Sequence, residues 1–346
     1  SSRRRHTRYI SVTGVQTCAL PIYQHPFTPC DREPIIDMSS FTAMPMMDEM
    51  LPVALFDEFR HRIGARPLNV SQWLPHDAES DPTIEMKRGL LRDRRDEVVA
   101  LYPGGERAAQ EAAELVAEFR GVTLSSSGID ALVEASLLVA DDLTVLEPRT
   151  GENGEEQLLF VAGVVCSPSR WNLASKMGQD MLQVHQPVSR YAEHIGAAVN
   201  TTLKRLSVER PVWRSNWTLE DHPALFQPTS PDAPLVKDPA LLWIRMERET
   251  LRRLPQTGGV LFTIRGFQQP LPDYVARGPE HAEVLHSLVK RFPDDVARIL
   301  LLGEGRGVRV LEPRVTQRGG HAAHFRQRHV QRLGPEQCIR AGNDLR

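Results

Sequence analysis

The stretch "LLWIRMERETLRRLPQTGGVLFTIRGFQQPL" (residues 241–271) decides the fold. Two of its parts, LLWIRME (241–247) and GGVLFTIRGF (258–267), are short runs rich in Ile, Val, Leu, Phe and Trp. Runs of this composition, bounded by Gly and Pro, are typical of β-strands. The part between them, ETLRRLP (249–255), predicts one or two helical turns that end before Pro255. The stretch therefore predicts two strands of a sheet with a short helical connection.

Similar apolar runs occur upstream, and helical patterns come before them. Further strands are predicted at LTVLEP (143–148), QLLFVAGVVC (157–166) and PVWRSNW (211–217). Helices are predicted in ALFDEFRHRIGARPLNVSQWL (54–74, ending near Gly64), PTIEMKRGLLRDRRDEVVALYPGG (82–105), ERAAQEAAELVAEFRGV (106–122) and QPVSRYAEHIGAAVNTTLKRL (186–206). This order indicates an α+β fold with an N-terminal helical region, in which helices cover one face of a mostly antiparallel sheet.

The composition limits the classes of function. Of the 346 residues, 25% are charged and 41% hydrophobic, and the formal net charge is −2, so no global field favours nucleic acid or an anionic membrane. No run approaches eighteen uninterrupted apolar residues, which argues against a membrane span. The four cysteines form no C-x-x-C pair, which argues against a zinc ribbon or disulfide framework and favours a cytoplasmic setting. Motifs of nicotinamide dehydrogenases, P-loop enzymes, zinc proteases with H-E-x-x-H and standard serine hydrolases are also absent from the sequence.

The two ends of the chain differ from the rest. Residues 1–22 correspond, on reverse translation, to the two halves of a sequencing-library adapter, so the genuine gene is expected to enter near Tyr23 or to start at Met38. Residues 23–49 are expected to be poorly ordered. Residues 301–346 are rich in Arg, Gly, His and Gln, as in a frameshifted or disordered tail. We therefore expect the folded domain at residues 50–300, with its sheet core near 140–275.

The block CSPSRWNLASKMGQDMLQVHQPV (166–188) carries the first candidate ligands. Cys166 ends an apolar strand, and the turn after it places Arg170 and Trp171 at the start of the next segment. His185 follows an apolar segment and precedes Pro187. A histidine in this position is either a haem or metal ligand or a core histidine bonded to a backbone carbonyl, and its surroundings leave both open.

Arginines recur on three of the predicted strands. Arg214 and Asn216 are two residues apart, so they share a strand face. They can offer a guanidinium and an amide to a carboxylate, a haem propionate or a cofactor, or they can be an ordinary surface pair. Arg245 and Glu247 also share a face and can pair with each other. With Arg265, three strands each supply one arginine, which favours an anionic ligand.

Together, several motifs resemble the haem-dependent oxidative N-demethylase family, the α subunit of dimethylamine monooxygenase. They are CSPSRW (166–171), KMGQDMLQVHQPV (176–188), RSNW (214–217) and RMERETLRRLPQTGGVLFTIR (245–265). Earlier segments extend the resemblance over roughly residues 50–298: IGARPLNVSQWL (63–74), EMKRGLL (85–91), LYPGG (101–105) and VADDLTVLE (139–147).

The resemblance implies a PAS-like fold that binds haem b, activates dioxygen and removes a methyl group from a dimethylamine-like secondary amine as formaldehyde. It implies electrons from a reductase subunit that carries FMN and a 2Fe–2S cluster. It further implies transfer of formaldehyde to a tetrahydrofolate-binding subunit. A PAS-like haem- or ligand-binding sensor or carrier without turnover is the alternative function.

The resemblance also assigns a role to His185. It stands at the position of the axial haem ligand, with Ser189 where the family usually has proline. Cys166 is the rival ligand, since a thiolate favours cleavage of the O–O bond, but its apolar strand end would raise the thiol pKa. The further expected cofactor contacts are Arg170, Trp171, Arg245 and Arg265.

The expected catalytic residues are Arg214, Asn216, Trp217 and Glu247. The aromatic face of Trp217 or Trp171, together with Glu247, would suit an amine that is cationic at neutral pH. Glu249 stands where the family has an amide side chain, which leaves a charge that must be paired or solvated.

Overall fold

The computed structural model describes residues 63–151, 154, 156–185, 191–229, 238–289, 312–314 and 324–326. Several predictions concern residues outside these ranges: the adapter-like segment 1–22, segment 23–49, the helix ahead of Gly64, and most of the 301–346 tail.

A seven-stranded antiparallel sheet forms the centre of the described region. Its strands are β1 (Arg66–Pro67), β2 (Val99–Leu101), β3 (Asp142–Thr150), β4 (Glu156–Val164), β5 (Val212–Glu220), β6 (Trp243–Arg253) and β7 (Val260–Pro270). Their spatial order is β1-β5-β6-β7-β3-β4-β2, so the two shortest strands form the edges. Two further short strands, β8 (Glu312–Arg314) and β9 (His324–Arg326), pair only with each other among the described residues. The predicted α+β class with an antiparallel sheet is confirmed.

Helices come before, within and after the strand sequence. They are α1 (Ser80–Asp93), α2 (Arg95–Val98), α3 (Glu106–Arg120), α4 (Gly128–Ser136), α5 (Met181–Val184), α6 (Ala197–Arg205), α7 (Leu271–Ala276) and α8 (Pro279–Val289). A π-helical turn, Ala192–Gly196, leads directly into α6. Among these residues, no helix has the length and apolar character that crossing a membrane requires.

Side-chain alternation along the strands divides the core between the two faces of the sheet. Val145 and Leu261 pack with the alanine-rich α3 and with α4 on one face, which we call the α3 face. Their chain neighbours Leu146 and Val260 pack with Leu203 of α6 on the opposite face, which we call the cavity face. Because successive strand residues point in opposite directions, each strand supplies both cores. Helices therefore cover both faces, not the single face that the sequence predicts.

Two local predictions are also wrong. Residues 249–255 do not form helical turns, because β6 continues to Arg253, which pairs with Val260 of β7. The helix predicted through Leu101 is interrupted after α1 at Arg94, resumes as α2 over Arg95–Val98, and gives way to Val99–Leu101, which pairs with β4 as an edge strand. In both places a neighbouring strand supplies backbone partners, and this tertiary pairing outweighs the local helical pattern.

Candidate functional site

A cavity lies between the cavity face of the sheet and two segments of the chain, residues 171–185 and 199–203. Aliphatic and aromatic side chains of the central strands form its floor: Leu146, Phe160, Leu251, Phe262 and Ile264. Residues around α5 and from α6 form the opposite wall, with few polar groups among them. Cavities of this kind hold largely apolar ligands that a small number of polar groups orient.

His185 lies in this wall, directly after α5, and is 9% exposed. Its Nδ1 atom lies 2.8 Å from the carbonyl oxygen of Met181. Because a carbonyl only accepts, Nδ1 must carry the proton, and Nε2 keeps its lone pair. Burial lowers the pKa of His185 to about 4, so the ring is neutral at neutral pH. Tyr191 stacks on the imidazole with ring centroids 4.4 Å apart and planes 12° from parallel, which further fixes its orientation.

The short helix α5, which ends next to His185, is held in place in two ways. Its N-terminus is capped, and the chain just before it is hydrogen-bonded to the sheet. The Asp180 carboxylate accepts from the Gln183 backbone N–H at 2.8 Å, and the Gln183 side-chain oxygen accepts from the Asp180 N–H at 3.0 Å, which forms a capping box. Just before this cap, the N–H of Gly178 donates to the carbonyl of Phe160 in β4 at 2.8 Å. Gly178 has a φ of +74°, and a Cβ there would overlap the Tyr102 ring. Only glycine suits this position.

Three further ionisable side chains occur among the described residues that line the cavity. Lys176, 1% exposed, donates from Nζ to the carbonyl of Val184 at 3.1 Å. Arg214 and Glu249 are directly opposed in the β5–β6 register, with Nε and Oε2 3.4 Å apart. Burial raises the pKa of Glu249 to about 7, although Arg214 opposes the shift. Among the described residues that line the cavity there are thus, besides His185, two basic side chains and one carboxyl group that titrates near neutrality.

Of the residues predicted from sequence, Trp171, His185 and Arg214 meet in this cavity. The two interpretations of His185 turn out to be compatible. A histidine that ligates a metal usually donates from its other ring nitrogen to a carbonyl or carboxylate, as His185 does to Met181. The contact with a backbone carbonyl therefore leaves His185 suitable as a ligand.

The other predicted catalytic residues do not line the cavity as the described residues define it. Asn216 lies on the same strand face as Arg214, but its Nδ2 points to Glu247 Oε2, 3.5 Å away. Glu247 in turn pairs with Arg245 Nε at 3.0 Å, which is the ion pair that their spacing allowed. Trp217 points to the opposite face and packs in the apolar cluster beside α7.

The remaining predicted arginines are held by other partners. Arg170 Nε lies 2.8 Å from Glu220, and its Nη2 contacts Asp221. Arg265, fully buried, pairs with Asp77 at 2.9 Å. The Arg245 guanidinium also donates to the carbonyls of residues 167 and 225. Arg245 and Arg265 thus do not converge with Arg214 on one anionic ligand, because a carboxylate pairs with each of them outside the cavity.

Cys166 also lies away from the cavity. Its side chain is fully buried in the core of the α3 face. Its backbone N–H donates to the Asp142 carboxylate at 2.8 Å, and burial together with that carboxylate raises the pKa of the thiol to about 12. A protonated, enclosed thiol is a poor metal ligand. No group of three or more His, Cys, Asp or Glu side chains in the described part of the chain is placed to hold a metal ion by itself.

Sequence reasoning assigned no cavity role to Lys176 or Glu249. For Glu249 a signal existed: it lies opposite Arg214 once β5 and β6 are recognised as antiparallel neighbours. The alternation of Phe262 and Ile264 along β7 likewise marks the cavity floor. No sequence pattern indicates that Lys176 lines the cavity, because its burial depends on how the segment before α5 folds against β4.

Comparison with protein families identifies a match. The family described as haem-dependent oxidative N-demethylase, alpha subunit-like, matches residues 117–299. This is more than half of the 346-residue chain, and it contains strands β3 to β7, the cavity wall and every site residue predicted above. The chain belongs to the haem-dependent oxidative N-demethylase α-subunit-like family.

Proposed function

We propose that this protein is the haem-binding catalytic subunit of an oxidative N-demethylase. It would convert a small secondary amine such as dimethylamine to the primary amine and formaldehyde. Besides family membership, the observation that carries the proposal is His185. It is a buried, neutral imidazole in an apolar cavity, with Nδ1–H bonded to a carbonyl and the Nε2 lone pair left for a metal.

The side chains around this cavity fit the chemistry of haem b. The porphyrin ring is apolar, and the cavity walls are mainly aliphatic and aromatic. Iron takes a neutral imidazole nitrogen as axial ligand, which His185 can supply. The two propionates are anionic, and the basic side chains Lys176 and Arg214 are among the described residues that line the same cavity. We therefore propose His185 as the axial ligand and Lys176 and Arg214 as the propionate partners.

When bound, haem would supply the reductive activation of dioxygen that oxidises the N-methyl group. The protein would contribute position and environment. Met181 holds the proton of His185 on Nδ1. The apolar walls would keep bulk water from the reacting groups, and the Trp171 ring would offer its face to a cationic amine.

The overall reaction also sets the partners that we propose. Conversion of dimethylamine and dioxygen to methylamine, formaldehyde and water consumes two electrons and two protons. We propose that a reductase subunit with FMN and a 2Fe–2S cluster supplies these electrons, and that a tetrahydrofolate-binding subunit takes up the formaldehyde. A cytoplasmic location would suit both.

The predicted residues outside the cavity receive a different role in this proposal. Asn216, Glu247, Arg170, Arg245 and Arg265 are engaged in buried ion pairs or polar contacts between the strands and the segments packed on them. We propose that they hold the sheet and its surrounding chain in place and do not contact the cofactor. Trp217 would contribute to packing in the apolar cluster beside α7.

The test is reconstitution of the full chain with haem. The wild-type protein should give a Soret band at one haem per chain, and His185→Ala should shift that band and weaken haem retention. His76→Ala, an exposed histidine on the α1 side, is the matched control and should leave the spectrum unchanged. An unchanged spectrum in His185→Ala would show that another residue is the ligand, and an absent Soret band in the wild type would refute the haem site.

Turnover is tested separately with the haem-loaded chain, a reductase and dimethylamine. Formaldehyde and methylamine should form in equal amounts. If haem is bound but no formaldehyde is released, the protein would instead be a haem-binding sensor or carrier.

A further inference from the structure

Lys176 is a buried lysine in the wall of the cavity. It ends the 3₁₀-helical turn Ala174–Lys176, is 1% exposed, and lines the same cavity as His185. Its Nζ atom donates to the carbonyl oxygen of Val184 at 3.1 Å, and no carboxylate among the described residues forms an ion pair with it. A buried charge is costly unless an opposite charge and hydrogen-bond partners receive it. The position of this ammonium group therefore calls for a physical reason beyond packing.

Lys87, on the other side of the molecule's core, offers an internal comparison. It is also fully buried, and its Nζ atom donates to the carbonyls of Val139 at 3.1 Å and Asp141 at 2.6 Å. Burial lowers the pKa of Lys87, and the nearby carboxylates of Asp142 and Asp141 oppose this shift. The protein thus surrounds Lys87 with its own anions. Among the described residues it supplies no such anion in contact with Lys176, whose charge acts on the cavity instead.

Lys176 is connected to the proposed axial ligand in two ways. Its hydrogen bond is made to Val184, the last residue of α5, which directly precedes His185. Its charge also acts at the imidazole: burial is the main cause that lowers the pKa of His185, and the positive charges of Arg214 and Lys176 contribute in the same direction. A change at Lys176 should therefore alter both the placement and the electrostatic surroundings of His185.

A positive charge near a redox centre favours its reduced form. Reduction adds one electron to the iron, and a cation in apolar surroundings stabilises the added negative charge more strongly than a cation in water does. The potential of a haem also depends on the hydrogen bonds that hold its axial ligand and on the burial of the site. Lys176 combines a charge in an apolar cavity with a hydrogen bond to the turn that carries the ligand.

Given the proposed function, on which this inference rests, we propose that Lys176 is a positioning residue that sets the reduction potential of the haem. Its ammonium group holds the end of α5 next to His185 and raises the potential, so that the iron accepts an electron from the reductase more readily. This role goes beyond pairing with a propionate, because it links the ease of reduction to the turn that carries the ligand.

The test is spectroelectrochemical titration of the haem-loaded full chain, which gives the ratio of ferrous to ferric haem at each electrode potential. Lys176→Met removes both the charge and the hydrogen bond, whereas Lys176→Gln removes the charge and keeps an N–H donor. Both should lower the ratio at a fixed potential by about tenfold, which corresponds to about 59 mV for one electron. Lys176→Arg keeps the charge and should stay close to the wild-type ratio.

Lys204→Met provides the matched control. Lys204 is an exposed lysine of α6, the helix that supplies Leu203 to the cavity, and it does not line the cavity as described. Because water and salt screen an exposed charge, its substitution should leave the ratio unchanged. Transfer of haem to apomyoglobin gives a second readout. Lys176→Met should lose haem faster than Lys176→Gln, because only the amide keeps a donor for the Val184 carbonyl.

The inference and the proposed function fail in different ways. Wild-type ratios in Lys176→Met and Lys176→Gln would overturn the role of Lys176 even if haem is bound and formaldehyde is released. An equal fall in Lys176→Arg would also overturn it, because the side-chain shape and not the charge would then be decisive. Lowered ratios without formaldehyde release would support the role and refute turnover. If neither uncharged variant folded with haem, Lys176 would serve cofactor retention, and its role in the potential would be overturned.

Discussion

Replacing Glu249 with glutamine should flatten the pH dependence of folding stability in the haem-free protein. An unfolded glutamate titrates near 4.5, whereas burial raises the pKa of Glu249 to about 7 in the folded protein. Below pH 4.5 the Glu249 carboxyl is protonated in both the folded and the unfolded state, so its favourable contribution to folding stability is fully present. Between the two pKa values the folded state binds one proton more than the unfolded state, so stability falls as pH rises. Above the folded pKa the loss is complete.

The magnitude follows from the same two pKa values. The slope in the window is about 1.4 kcal/mol per pH unit, the free energy of one proton. When this slope is integrated from pH 5 to pH 8, the titration of Glu249 should lower the free energy of unfolding of the wild type by about 2.5 kcal/mol. Glu249→Gln cannot ionise and should not lose it. Other buried acids, such as Asp142 with a pKa of about 6, titrate in both proteins and cancel in the difference.

The assay is urea unfolding followed by tryptophan fluorescence and circular dichroism at several pH values from 5 to 8. The difference in unfolding free energy between Glu249→Gln and wild type should rise across this range by about 2.5 kcal/mol. If the plots of unfolding free energy against pH were parallel for wild type and Glu249→Gln, the carboxyl would not be strongly buried. That result would contradict the cavity environment described for Glu249.

Three other outcomes are expected. Asp180→Ala removes the N-terminal cap of α5, so it should lower the free energy of unfolding by about 1 kcal/mol, measured by urea unfolding. It should also speed the loss of haem from the protein, measured by haem-transfer kinetics, because the cap positions His185. Unchanged haem retention would mean that the cap does not position this ligand. Cys166 should resist iodoacetamide in the native protein at pH 8, because burial raises its pKa to about 12, and peptide mapping that found labelling as fast as in urea would contradict this. Gly105→Ala should destabilise by about 1–3 kcal/mol, because the new Cβ would lie 2.7 Å from the Val161 carbonyl oxygen; a urea midpoint equal to that of wild type would show that the chain relaxes there.

Much of the fold could be predicted from local sequence. The runs of Val, Ile, Leu and Phe at five places became β3 to β7, and the alanine-rich segment 106–120 became α3. The failures have a shared cause. Residues 249–253 and 99–101 carry helical patterns, yet both pair as strands because a neighbouring strand satisfies their backbone groups. Val99 pairs with Val164 of β4, and Leu251 pairs with Val212 of β5; partners this far apart along the chain cannot be identified in a local window.

For the candidate site too, some features could be predicted from the sequence and others depended on tertiary contacts. His185, Trp171 and Arg214 could be selected by residue type and motif, and all three line the cavity. The resemblance to the demethylase family also came from the motifs alone. The arginines at 245 and 265 were chosen by the same reasoning, but their partners, Glu247 and Asp77, neutralise them outside the cavity.

The sequence by itself determined where most of β3 to β7 lies, which family the motifs resemble, and which histidine is the candidate ligand, because composition and short spacing carry that information. Only the tertiary structure decided which charged side chains share a cavity. Arg214 meets Glu249 through the register of two strands, while Glu247, two residues away on the same strand face, pairs with Arg245 instead. Strand register and the packing of the segment around α5 are long-range properties, and they determine whether a buried charge faces a ligand or a partner within the protein.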